Sequence, residues 1–237
     1  MTRMNTPTTA LPAVFRWAWQ GRLLVFTLSA TSIWCLLAEF YGLCSMHTFT
    51  FFILLPATAT LVGLAVLDRV KGDGQLWQGV VVGAVAGFIA ACAYDVFRLP
   101  FVFSREWGLA SVVPPMNLFK VFPRFGAMIL GEPVEQETYS LAAHLIGWVY
   151  HFSNGVTFGV MYVAMIGDAR RRSWLWAVLL ATGLELAMLF TPYPQFFAIP
   201  LTALFVAVTF TAHLVFGVVL GVVTKWAARR LPAPESP

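Results

Sequence analysis

Six runs of apolar residues, each about as long as a helix must be to cross a bilayer, leave this chain little choice of fold. A hydrocarbon core of about 30 Å takes roughly 20 helical residues, and the runs fall at 23–41, 49–67, 76–97, 141–166, 174–191 and 196–224. Backbone N–H and C=O groups find no partners in lipid, so such a segment must satisfy them within itself, as a helix. Only 11% of the residues are charged and 59% are hydrophobic, whereas about a quarter of a soluble domain is charged. The expected fold class is all-α: a polytopic membrane protein, a six-transmembrane-helix bundle that forms one domain over residues 1–237. The polar stretch 1–13 and the run after it carry no convincing cleavage site, which makes the first run a retained span.

Six spans put both termini on one side. That side receives Arg3, Arg16, Arg22, Arg69, Lys71, Arg170, Arg171, Arg172, Lys225, Arg229 and Arg230, against Arg98, Arg105, Lys120 and Arg124 on the other. By the positive-inside rule both termini are cytoplasmic. The net charge of +4 is thereby a topology signal, and no nucleic-acid partner is expected. The partner is the lipid bilayer. A long outer connection, 98–140, joins spans 3 and 4, and the Pro-rich tail 231–237 reads as disordered. Within the connection, 118–130 is too short to span and is broken by Pro123, so it lies in the interface or re-enters the bundle. Lys120 and Arg124, four residues apart, either meet lipid phosphates or snorkel.

One pattern occurs twice. His151 opens H-x-x-x-G-V-x-x-G-V in span 4, and His213 opens the same pattern in span 6. On a helix the histidine and both glycines share a face, and small residues there let a neighbouring backbone or a flat ligand approach closely. Basic residues follow both copies, so the two helices run in the same direction. The match covers ten residues and extends neither to span 5 nor to spans 1–3.

Ionisable groups inside a span normally face protein or water. Span 3 carries Gly79, Gly83, Gly87 and Ala91 in an i+4 row that ends on Asp95, with Arg98 three residues on; the Gly83/Gly87 face also suits a homodimer contact. Span 5 repeats such a row with Ala177, Ala181 and Glu185. Counting depth from the span ends gives a buried polar site of His151, Asn154, Glu185 and His213, with Asp95, Arg98 and His144 as its outer vestibule. Four chemistries fit these residue types. The polar set fixes helix register; or His151, His213 and Glu185 hold a transition metal, or the two histidines a haem, with the glycines making room for the porphyrin; or the histidines and Glu185 carry protons in a coupled transporter; or a membrane enzyme acts on a lipid or isoprenoid substrate with a histidine as acid or base. Cys35, Cys44 and Cys92 have no metal or redox spacing and read as packing residues.

The segments Ala93-Tyr-Asp-Val-Phe-Arg98, Gly147-Trp-Val-Tyr-His-Phe-Ser-Asn-Gly155, Gly183-Leu-Glu-Leu-Ala-Met188 and His213-Leu-Val-Phe-Gly217 resemble small bacterial multi-span proteins with Gly-rich spans and an H-x-x-x-G last helix. That resemblance covers roughly spans 3–6. It implies a bacterial inner-membrane location and brings no activity with it.

Overall fold

The computed structural model describes residues 19–231, all in helices and the turns that join them. In chain order these are α1 (Trp19–Phe40), the one-turn α2 (Met46–Phe49), a π-helical turn at Thr50–Leu54, α3 (Leu55–Lys71), α4 (Gln75–Val102), α5 (Val121–Leu130), α6 (Leu141–Ile166), α7 (Leu175–Phe190), the one-turn α8 (Tyr193–Phe196) and α9 (Ala203–Arg230). The polar N-terminal stretch, Arg3, Arg16 and the end of the Pro-rich tail lie outside the described residues.

Among the described residues four segments are long and apolar enough to cross a membrane: Trp19–Phe40, Met46–Lys71, Gln75–Val102 and Ala203–Arg230. The 26-residue α6 is long enough, but His144, His151, Ser153 and Asn154 dilute its apolar character. It can carry them because it is the central helix, packed on α1, α4 and α5. The 16 residues of α7 rise only about 24 Å at 1.5 Å each, and Pro192 follows close behind its last turn.

Several boundaries depart from the sequence expectation, among them the end of α4 at Val102 and not 97. The final span begins at Ala203 and not at 196. Ala198 has a φ of 49°, Pro200 has no N–H to give, and Thr202 then caps the helix by accepting from the Phe205 N–H. In span 2 the irregularity is the π turn just before Pro56, where the ring and missing N–H of the proline displace the usual i→i−4 bond.

Helix packing is set by glycines. A Cβ on Gly83 would lie 2.7 Å from the Gly159 carbonyl oxygen, and one on Gly87 would overlap that of Gly155. The Gly83/Gly87 face is thus packed on α6 of the same chain. Gly126 of α5 and Gly147 of α6 are in similar backbone contact with Ala143 and Phe122. The connection between α4 and α6 therefore re-enters the bundle: residues 122–129 of α5 are all buried. Arg124 is buried too, donating to the Phe197 carbonyl at 2.8 Å and to Glu135 at 2.9 Å, so it does not snorkel outward from the bundle. Several polar side chains clamp the ends of the bundle. Arg22 donates to the carbonyls of Ala164 and Met165 at the end of α6, and Arg170 donates to those of Ala228 and Leu231 at the end of α9, where a cation also suits the helix dipole. Glu39 accepts from the Met46 N–H, and His47 Nδ1 lies 2.7 Å from the Ile129 carbonyl oxygen.

Candidate functional site

The two copies of the repeated pattern each seat a partner helix, and the seating decides what the histidines meet. Gly155 and Gly159 pack on α4: a Cβ on Gly155 would be 2.6 Å from the Ala91 Cβ. Four residues back on α6 and four forward on antiparallel α4 stand His151 and Asp95, with Nε2 2.9 Å from Oδ2. Gly217 and Gly221 pack on α7, with a Cβ on Gly217 2.7 Å from Val178 Cα and 3.0 Å from the Ala181 Cβ. The same step of four brings His213 Nδ1 to 2.8 Å from Glu185 Oε2. The repeat therefore extends to α4 and α7, each of which offers a small–x₃–small–x₃–acid row: Gly87, Ala91, Asp95 and Ala177, Ala181, Glu185.

The first pair is tied to a cation. Arg98 Nη2 donates to Asp95 Oδ1, and its guanidinium lies 4.1 Å above the Tyr94 ring and 4.9 Å from that of Phe119. The His151 ring stacks on Phe122 at 4.3 Å. In the second pair Glu185 is fully buried; Thr209 Oγ1 donates to Oε1 at 2.7 Å, and the Thr209 carbonyl is 2.9 Å from His213 Nδ1. Tyr94 stands between the pairs, its ring centroid 5.0 Å from His213 and 6.1 Å from His151.

Both histidines open onto one cavity of about 640 Å³. Arg98, Lys120 and Arg124 line it, as do His151, Asn154, Thr209 and His213, and the rest of the wall is mainly aliphatic and aromatic. Among the described residues no Asp or Glu reaches that wall. Three buried polar atoms on the lining residues, Arg98 Nε, Arg124 Nε and Asn154 Oδ1, have no hydrogen-bond partner. Tyr193 also lines the cavity, and burial raises its hydroxyl pKa, which keeps it a neutral donor.

Of the expected site, His151, Asn154 and His213 come together on the cavity and Glu185 sits directly behind His213. Asp95 and Arg98 are no separate vestibule: both are buried, and Asp95 joins His151 to Arg98. His144 stands apart, exposed beside the Tyr139 ring at 6.3 Å. The metal set is not assembled, since among the described residues no three His, Cys, Asp or Glu side chains come near enough to share an ion; His151 and Glu185 belong to different pairs. The space expected for a porphyrin is filled by α4 and α7 against the glycines. Tyr94 and Phe122 escaped the sequence reading, although Tyr94 is adjacent to Asp95 and was recognisable as a side chain one position round the same helix.

The arrangement can do two things chemically. Its cations and unused N–H groups can hold an anion. Each imidazole also has one nitrogen directed at an acceptor, whereas His151 Nδ1 and His213 Nε2 have no hydrogen-bond partner among the described residues and can exchange a proton with whatever enters. No protein-family model, no curated protein and no solved structure matches this chain.

Proposed function

We propose that this chain is a six-span protein of a bacterial inner membrane, with both termini cytoplasmic and α6 and α7 as its fourth and fifth spans, and that its function is to bind a small anionic ligand in the cavity between α4, α5, α6 and α9. One observation carries the reading: the cavity wall presents Arg98, Lys120 and Arg124 and two histidines, with no carboxylate among the lining side chains. A cavity built only to be filled by lipid tails would not retain buried guanidinium groups with unused donors, because each costs free energy when left unpaired. His151 and His213 supply ring nitrogens to the ligand, Asp95 and Glu185 orient those rings from behind, and Asn154 offers its amide. The test is calorimetric titration of the detergent-purified chain with inorganic phosphate, beside Lys120→Gln and His213→Gln variants shown by gel filtration to be folded. Saturable binding weakened in both variants supports the reading, and an absence of binding by wild type refutes it.

A second reading, proton-coupled transport of that anion, is favoured by the pairing of each cavity-facing imidazole with a carboxylate only 2.8–2.9 Å away. Such a pair changes charge state by moving one proton. Proteoliposomes loaded with a pH-sensitive dye should acidify or alkalise when the anion is added, and a static dye signal argues for binding alone.

A further inference from the structure

The anion-binding reading leaves open by which route the ligand reaches the cavity, and the apolar part of the wall bears on this. On one side of the cavity are Ile33, Leu36 and Leu37 of α1; on the other are Leu184 and Met188 of α7 and Leu204 of α9. These two walls belong to helices that do not pack directly on each other: α1 packs on α3 and α6, and α7 packs on α9. Phe40 of α1 meets Tyr193 and Phe196 of α8 at one end, and along the rest of their length these apolar walls would face lipid between them.

The cationic groups are gathered at one end of this space. Arg98 lies four residues before the end of α4, and Lys120 and Arg124 flank the start of α5, whereas His151 and His213 are each ten residues into their helices, about 15 Å along. Arg98 is neutralised by Asp95 and Arg124 by Glu135, an exposed residue. Lys120 has no acidic partner among the described residues. Arg98, Lys120 and Arg124, contributed by α4 and by the two sides of the first turn of α5, all line this one cavity, and cations drawn from more than one direction suit a tetrahedral oxyanion with several acceptor oxygens. Resting on the anion-binding reading, we infer that the ligand is a single-chain lipid phosphate, a phosphate monoester on one hydrocarbon chain, which enters sideways between α1 and α7–α9 and places its head on Arg98, Lys120 and Arg124. A cavity of about 640 Å³ is of the size that takes one drug-sized ligand, and so one chain and not a diacyl lipid.

The experiment uses the full chain in phosphatidylcholine nanodiscs, with empty nanodiscs as the baseline, and three probes: dodecyl phosphate, inorganic phosphate and dodecanol. Dodecyl phosphate should bind about tenfold or more tightly than either of the others, and Lys120→Gln should remove about tenfold of that affinity, as the loss of one charged hydrogen bond does. Leu204→Trp, a change at a 44% exposed rim position that the fold tolerates, should weaken dodecyl phosphate and leave inorganic phosphate unchanged. If inorganic phosphate binds as well as dodecyl phosphate, the sideways-entry inference falls while the anion reading survives. If dodecanol matches dodecyl phosphate, or neither phosphate binds, both fall.

Discussion

The α4–α6 and α7–α9 pairs are built on one plan and differ in what compensates the buried acid. In each, two glycines of the H-x-x-x-G helix sit on a small-residue row of an antiparallel neighbour, and a histidine one turn away meets the acid that ends the row. Asp95 has Arg98 and His151 as partners, so its charge is balanced whatever the imidazole does. Glu185 accepts from Thr209 at Oε1, while its Oε2 lies 2.8 Å from His213 Nδ1 without a hydrogen bond, and no Lys or Arg among the described residues pairs with it. The first pair is therefore an ion-pair network that includes a permanent cation, whereas the second buries its acid beside a hydroxyl and an imidazole alone.

The largest expected effects test that difference. Asp95→Asn leaves Arg98 buried without its counter-charge and should cost about 3–5 kcal/mol, the usual result of removing one partner from a buried pair. Glu185→Gln keeps a neutral acceptor for the Thr209 hydroxyl and should cost about 1 kcal/mol. Denaturation of the purified variants by titration with SDS measures both. Equal losses would mean that the two acids are held alike, and the contrast between the pairs would fail. Adding Arg98→Met to Asp95→Asn should restore much of the loss.

The seating glycines come next. Gly155→Ala and Gly217→Ala each push a methyl group into a neighbouring helix, at 2.6 Å from Ala91 Cβ and 2.7 Å from Val178 Cα, and should cost about 1–3 kcal/mol apiece. Gly183→Ala, on α7 where nothing lies within 4 Å, should instead gain about 0.5–1 kcal/mol from helix propensity. Thermal midpoints of the three variants, read side by side, separate packing from propensity.

How much of this was legible in the sequence depends on whether the information is local. The helical class, the repeated pattern and both small-residue rows could each be read from spacing, because spacing on a helix fixes which residues share a face. Which acid meets which histidine could not. Asp95 and His151 are 56 residues apart across a connection whose length says nothing of where α6 returns. Counting depth from a span end at 97 also put Asp95 near the outer surface, whereas α4 runs on to Val102 and carries it inside. Pro123 made α5 look like an interfacial fragment, but prolines are tolerated in the first turn of a helix. Gly126 there does what glycines do elsewhere in the bundle and lets α5 lie against α6. The glycines after each histidine looked like room for a ligand; they are room for a helix, and composition alone does not distinguish the two.

The finest contrast between the pairs lies in the ring nitrogens. His151 turns Nε2 to Asp95, and His213 turns Nδ1 to Glu185 and the Thr209 carbonyl. A neutral imidazole carries its proton on the nitrogen that faces the acceptor. The two histidines should therefore be opposite tautomers, Nε2–H for His151 and Nδ1–H for His213, each leaving a bare nitrogen towards the cavity. Solid-state NMR on chain labelled with ¹⁵N-histidine in lipid distinguishes the two forms directly, and His151→Gln and His213→Gln assign the signals. Opposite tautomers that converge on one protonated form when a phosphate probe is added would mean that both rings face the ligand. Identical tautomers would break the parallel at its smallest detail, and with it the reason for treating the two pairs as halves of one site.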